Sequence, residues 1–379
     1  MSRRLPIDPE LSQHEVPRLH WFVLDRRRFL QLFGGGIAIA IAAPKDAFSQ
    51  ESGQSGRRGQ ELPKDLSAWI LIDKAGKVTV FTGKAEVGQN IRTSLAQAVA
   101  EELRVAVPAI TMVMGDTDLC PFDMGTFGSR TTPYMAPQLR AAAATAREEL
   151  IDLAAKRWNV SRDGLAAENG KILDSASKRS LTYGQITRGE KLVKTLPAEI
   201  ADVPLTPASS WKIAGTRVPK VDGRDFVTGA HRYASDITRP GMLHGKILRP
   251  AAFEATLASL DAAKTESLPG VKVVRDGEFV GLVAPDAYTA DRAVDTLATG
   301  AKWTEKPGQP SNATIFEYLK TNAETSTDER AQPRVKGNVD EALASADVKL
   351  TQNYTVEYIA HAPLEPRAAV ANGIWTPTR

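Results

Sequence analysis

Residues 68–104 constrain the fold more than any other stretch of the chain. "AWILID" and "KVTVFTG" are β-rich runs separated by Lys74-Ala75-Gly76, and in the second Val78 and Val80 alternate with Lys77 and Thr79, which predicts a hairpin. The turn "GKAEVGQNIRT" follows, with Gly83 and Gly88. After it Leu95, Val99 and Leu103 recur at helical spacing up to about Arg104, with Ser94 and Gln97 at capping-box spacing. Glycines in a strand-to-helix turn let the backbone approach a ligand, and the free N–H groups of a first helical turn attract anions. The stretch therefore predicts an α+β fold whose first turn holds a phosphate.

Several classes are excluded by what surrounds that turn. A nucleoside triphosphate loop needs a lysine after its last glycine, and here Gly88 is followed by Gln89-Asn90; nor does the chain contain G-x-G-x-x-G, the dinucleotide fingerprint. Against 45 acidic residues stand 48 basic ones, evenly spread over 379 positions, so charge gives no case for nucleic acid. Cys120 is the only cysteine, which leaves no internal disulfide and no iron–sulfur cluster on this chain; any cluster would sit on a partner. The five histidines lack metal-ligand spacing, so no metal site is expected.

The N-terminus reads as an export signal. "DRRRFLQLFGGGIAIAIAAPKDAFSQ" sets a basic cluster before a short apolar run, and Arg26-Arg27-Arg28-Phe29-Leu30 is similar to the twin-arginine pattern. The apolar run, about a dozen residues, is too short to span a bilayer. Ala47-Phe48-Ser49 has the small residues of a cleavage site. The alternative is a buried or amphipathic N-terminal helix.

Along the chain we expect a signal over 1–49, a polar linker over 50–65, and a first folded unit over 66–190 with a third strand in "AITMVMGDT" and an Ala-rich helix entered at Pro137 and ending near Trp158. Three prolines in 190–210 mark a boundary. A second β-rich unit is expected over 211–304, with helical patterns near 253–266 and 286–299. A linker over 305–345 then leads to the start of a further β-rich unit at 346–379, too short to close a core of its own.

A second loop, Gly125-Thr126-Phe127-Gly128-Ser129-Arg130-Thr131-Thr132, combines glycines, hydroxyls and one arginine, a set suited to an oxyanion, although either loop alone also reads as a simple turn. Together with the first loop it carries a resemblance. "GKVTVFTGKAEVGQNIRTSLAQAVAEELRVAVPAITMVMGDTDLCPFDMGTFGSRT" resembles the molybdopterin-binding subunit of the xanthine dehydrogenase/aldehyde oxidase family, nearest to the branch holding the large subunit of isoquinoline 1-oxidoreductase. "PKVDGRDFVTGAHRYASDITRPGMLHGKILRP" is similar to that family's a/b hammerhead domain, and "YIAHAPLEPRAAVA" to the start of its main molybdenum-binding region.

The resemblance implies cofactor contacts at Gly88, Gln89, Thr93, Gly125, Thr126, Ser129, Arg130 and Thr131, and an active-site lining that includes His361 and Glu365. Glu86, beside the loop, reads as an orienting residue rather than a base. Asn90 departs from the family pattern, which has glycine there. The implied cofactor is a molybdenum-pterin dinucleotide, in its cytosine form, with [2Fe-2S] clusters on a small partner subunit. The implied activity is hydroxylation of an N-heterocycle, with electrons passed through the iron–sulfur subunit to a periplasmic or membrane cytochrome after twin-arginine export. The family's catalytic glutamate has no match in this chain, and the resemblance implies a position beyond Arg379. The chain is therefore expected to be the N-terminal half of the large subunit and inactive alone. Two alternatives remain open: an aldehyde-oxidising member of the family, and a non-catalytic exported binding or assembly protein.

Overall fold

A computed structural model describes residues 36–41, 68–123, 125–196, 203–323, 336–359, 362 and 367–373. The chain forms two compact units, residues 1–235 with 363–379, and residues 236–362.

The first unit is built on a five-stranded mixed sheet. Its strands are β1 (Gly36–Ile41), β2 (Ala68–Asp73), β3 (Val78–Thr82), β4 (Ile110–Met114) and, later in the chain, β8 (Lys191–Leu196), in the order β4-β3-β2-β1-β8. β2 and β3 form the expected antiparallel hairpin. β4 lies parallel to β3, which requires a crossover, and helix α1 (Ile91–Leu103) supplies it. The apolar run expected to be the core of an export signal is β1. It pairs antiparallel with β2 and parallel with β8, and all six residues are buried. The basic cluster, the cleavage-site residues 47–49 and the linker 50–65 lie outside the described residues.

Helix α2 (Thr131–Trp158) packs on α1 over the sheet. Leu95, Ala96, Val99 and Leu103 of α1 join Leu139, Ala142, Ala143, Ala146 and Leu150 of α2 and Ile37, Ile39, Ile70 and Val80 of the sheet in one core. The alanine run lets the two helices approach closely. α2 begins six residues before Pro137, which lies inside it. α1 begins at Ile91 rather than at Ser94: Gln97, expected in a capping box, instead donates from Nε2 to the carbonyls of Ile213 and Thr216. A small antiparallel sheet of β5 (Leu165–Glu168), β6 (Lys171–Asp174) and β7 (Ser180–Thr182) completes the extension after α2.

The boundary expected at 190–210 falls instead after Ser235, because residues 203–216 are tied to α1 and α2 by two buried carboxylates. Glu101 accepts from the N–H groups of Lys212, Ile213 and Ala214 at 2.6–3.0 Å. Glu102, fully buried, accepts from Arg140, Arg147 and both the N–H and hydroxyl of Thr206. Burial alone would raise the Glu101 carboxyl, but the three N–H donors and Arg104 outweigh it and hold it below the usual carboxylate range. A depressed folded-state value gives stability that is present above the unfolded value and is lost as pH falls through the folded one. Thermal unfolding is therefore expected at a constant midpoint near neutrality and at falling temperatures below about pH 4. In Glu101→Gln the midpoint should be lower at neutral pH and less dependent on acid; an unchanged acid limb would refute the assignment.

The second unit holds a three-stranded sheet of β9 (His244–Ile247), β11 (Lys272–Asp276) and β12 (Phe279–Ala284), ordered β11-β12-β9, and a pair of β10 (Thr256–Leu260) with β13 (Ala301–Thr304). Helix α3 (Ala287–Thr299) buries Ala290, Ala293 and Leu297 against Val280, Leu282 and Ala284. Where a helical pattern is expected near 253–266, Thr256–Leu260 is strand and only Ala263–Glu266 is helical. Two short helices, Ile315–Thr321 and Val339–Ser345, lie in the expected linker 305–345. Past Ser345 the described residues form no regular strand.

Candidate functional site

The glycine turn is closed upon itself. Glu86 folds back so that Oε1 accepts from the N–H groups of Gly88 and Asn90 at 2.8 and 2.9 Å, and Oε2 from the N–H of Arg92 at 2.9 Å. The anion that the start of α1 attracts is thus the protein's own carboxylate. Asn90, the N-cap, sits at φ 69° in the left-handed region, where glycine is easiest and asparagine is the next best tolerated. That conformation accounts for glycine in the family pattern and for asparagine as its substitute.

The other expected contacts brace the same structure. Gln89 accepts from the N–H of Val87 and donates to the carbonyl of Ala85, spending both ends of its amide within the loop. Thr93 is buried and its hydroxyl accepts from the N–H of Val221. The second loop is locked to the first: Thr126 Oγ1 accepts from the N–H of Ala85, and Lys84 Nζ donates to Asp123 and to the carbonyl of Gly125, each at 2.8 Å. Ser129 is left-handed at φ 55°, Arg130 lies over the Tyr134 ring at 5.6 Å, and Thr131 opens α2 as a buried residue. The two predicted loops therefore meet, through Lys84 and Thr126. His361 and Glu365, the expected active-site lining, lie outside the described residues, as does Arg379, beyond which the family's catalytic glutamate is expected.

Beside the first loop opens a cavity of about 310 Å³ lined by Glu86, Gly88 and Arg92 on one side and by Lys220, Asp222, Phe226, His231, Arg232 and Tyr233 on the other. Residues 220–233 were not expected to belong to the site. Their signal in the sequence is the dense alternation of Lys, Arg, His and aromatic residues in "PKVDGRDF" and "GAHRY", which the hammerhead resemblance claimed for a separate domain. An aromatic cluster shapes the wall: Phe226 stacks on His231 at 4.0 Å, Tyr233 meets His231 edge-on, and Lys220 Nζ lies over Phe226 at 4.1 Å. Arg92 is held by the carbonyl of Met112 and faces Asp222 at 3.7 Å. The other carboxylate oxygen of Asp222, Oδ1, is buried and accepts no hydrogen bond among the described residues. Such an acceptor is costly unless a ligand or water donates to it. The cavity thus offers cations to an anionic group and a carboxylate oxygen to a donor. No group of His, Cys, Asp or Glu among the described residues is arranged to hold a metal ion directly. Cys120 is buried, and desolvation pushes its thiol up, so it is not a reactive thiolate.

Comparison with known proteins agrees with this picture. A family model described as the molybdopterin cofactor-binding domain matches residues 27–237, a span that includes β1, both loops and the cavity. A nicotinate dehydrogenase subunit of Pseudomonas putida is 33% identical over 324 residues, covering 82% of this chain and 26% of that protein. The membrane-bound aldehyde dehydrogenase (pyrroloquinoline-quinone) of Gluconacetobacter polyoxogenes is 26% identical over 92% of this chain and 46% of its own length. The beta chain of isoquinoline 1-oxidoreductase of Brevundimonas diminuta is 25% identical over 92% of this chain and 50% of its own length. The chain spans between about a quarter and a half of the length of these relatives.

Proposed function

The chain belongs to the molybdopterin cofactor-binding family of xanthine dehydrogenase type, and from that premise we propose that its first unit contributes to holding a pterin cofactor in the cavity beside Gly88. The carrying observation is the donor set. Arg92, Lys220 and Arg232 suit the phosphate of such a group, the Asp222 oxygen suits a ring amino or N–H group, and the Phe226–His231–Tyr233 wall suits a planar ring. The loop backbone does not take part, since Glu86 already occupies its N–H groups. The fit is therefore one of side chains, and the glycines serve to bring Glu86, Arg92 and the second loop together.

When bound, a molybdenum pterin supplies oxidative hydroxylation of an electron-poor carbon, with the oxygen taken from water and two electrons released. Within this chain Arg92 and Lys220 neutralise the group's negative charge, and Asp222 fixes its orientation. No base is assigned among the described residues. Two of the relatives are named for N-heterocycles, nicotinate and isoquinoline, which supports an N-heterocycle as the substrate of the assembled enzyme; an aldehyde is the alternative favoured by the third. Two of these relatives are also named as subunits, and the one cysteine here is buried, which supports an iron–sulfur subunit as the electron exit, leading on to a cytochrome. The dinucleotide form of the pterin is proposed to be the cytosine one.

The test is the molybdenum and pterin content of the assembled enzyme carrying Arg92→Ala with Lys220→Ala. A fall of tenfold or more in bound metal per protein, with the thermal midpoint within about 3 °C of the parent, is the expected result. Unchanged metal content would place the cofactor elsewhere in the assembly and refute the proposed site.

A further inference from the structure

The apolar run that reads as the heart of an export signal is also the fourth strand of the sheet, and its details suit the sheet rather than a leader. A leader segment is read by length and hydropathy, without a requirement for which residue faces which way. In β1 the residues alternate strictly. Ile37, Ile39 and Ile41 point into the large core beneath α1 and α2, all at 0% exposure, whereas Ala38 and Ala40 face the opposite side and join Trp69, Phe81 and Cys120. The second face has room only for small residues, because Trp69 and Phe81 stack there at 3.7 Å. Gly36 is matched in the same way: its φ is +129°, and a Cβ at this position would lie 2.2 Å from the carbonyl oxygen of Ile72. The strand also sits between two others, antiparallel to β2 and parallel to β8, so that its removal would leave both with unpaired backbone edges inside the sheet. The family match starting at residue 27 includes the segment within the domain.

We infer that Gly36–Ile41 is a permanent strand of the mature protein, so that any processing of the N-terminus cuts before Gly36 and not after Ser49. The apolar residues from Gly36 that resemble a leader are then part of the domain's core, and removal is confined to the residues that precede them, the basic cluster included.

The first arm of the test is the N-terminal sequence and intact mass of the full protein isolated from cells that produce it naturally. Retention of Gly36–Ile41 is expected, and a mature chain beginning at Gln50 would overturn the inference. The second arm uses the quadruple variant Ile37→Ala, Ala38→Ile, Ile39→Ala and Ala40→Ile, which keeps composition and hydropathy but exchanges the two faces, and the milder Gly36→Ala. Both would be neutral in a leader. As a strand, the exchanged segment should lower the thermal midpoint by about 10 °C or abolish soluble protein, and Gly36→Ala should lower it by a few degrees. Cys120, which shares the small buried face, should become open to alkylation in native buffer in the exchanged variant while remaining protected in the parent. Unchanged midpoints with Cys120 still protected would overturn the inference even if the segment were retained.

Discussion

Glu102→Ala should unfold the first unit under conditions where the parent is stable, with an expected loss of about 3–5 kcal/mol. The carboxylate is fully buried and lies 2.7 Å from Arg140 and 3.0 Å from Arg147, and the two guanidinium groups in turn hold the carbonyls of Thr206 and Pro204. Its removal leaves Arg140 without its buried carboxylate and Arg147 with only the Glu148 carboxylate, and it takes away the acceptor for the N–H and hydroxyl of Thr206, which loosens the strap at 203–206. Since that strap continues into Lys220 and Asp222, one wall of the cavity should loosen along with it. Chemical denaturation followed by far-ultraviolet circular dichroism measures the loss. The control is Lys194→Ala, which breaks the half-exposed pair with Glu149 and should cost less than about 1 kcal/mol. Equal effects of the two substitutions would mean that the buried pair contributes no more than a surface one.

The second large effect is expected at Gly184. A Cβ there would lie 2.5 Å from the carbonyl carbon of Ala75 and 2.6 Å from its oxygen, in the turn between β2 and β3. Across the contact Gly76, at φ +83°, has its own missing Cβ 2.7 Å from the N–H nitrogen of Gly184. Backbone meets backbone on both sides, so no rotamer change relieves an added side chain. Gly184→Val should therefore push the hairpin away from the segment that carries Tyr183, whose hydroxyl donates to the carbonyl of Leu103 at the end of α1. The expected cost is about 1–3 kcal/mol, read as a fall of roughly 3–10 °C in the thermal midpoint. A midpoint within 1 °C or so of the parent would show that the turn yields without cost.

Much of the first unit was legible from local pattern. Alternation at Val78 and Val80 with a three-residue turn before them specifies a hairpin, and Leu95, Val99 and Leu103 specify a helix, because burial on one face demands that periodicity whatever lies opposite. The two loops were legible one by one, from their glycines and hydroxyls, whereas their joining through Thr126 and Lys84 was not. Less legible was the cavity. Arg92 lies in the glycine turn, but Lys220, Asp222 and Arg232 follow it by 128 or more positions, and nothing in the local sequence brings them together.

The sequence by itself determined the α+β class, the strand–turn–helix that carries the first loop, the absence of cluster-binding thiols and the family resemblance. All but the resemblance, which rests on longer stretches, depend on composition or on neighbours within a dozen or so positions. Tertiary structure alone decided what the loop's N–H groups hold, where the first unit ends and what "GIAIAI" is. A carboxylate six residues upstream captured the donor of Arg92 because it was already in reach, before any ligand could compete. Glu101 and Glu102 drew residues 203–216 onto the first unit because a buried charge must find its partners wherever the chain can bring them. An apolar run carries no label distinguishing a leader from a strand; the gap between β2 and β8, wide on one face for isoleucine and narrow on the other for alanine, is what makes it a strand.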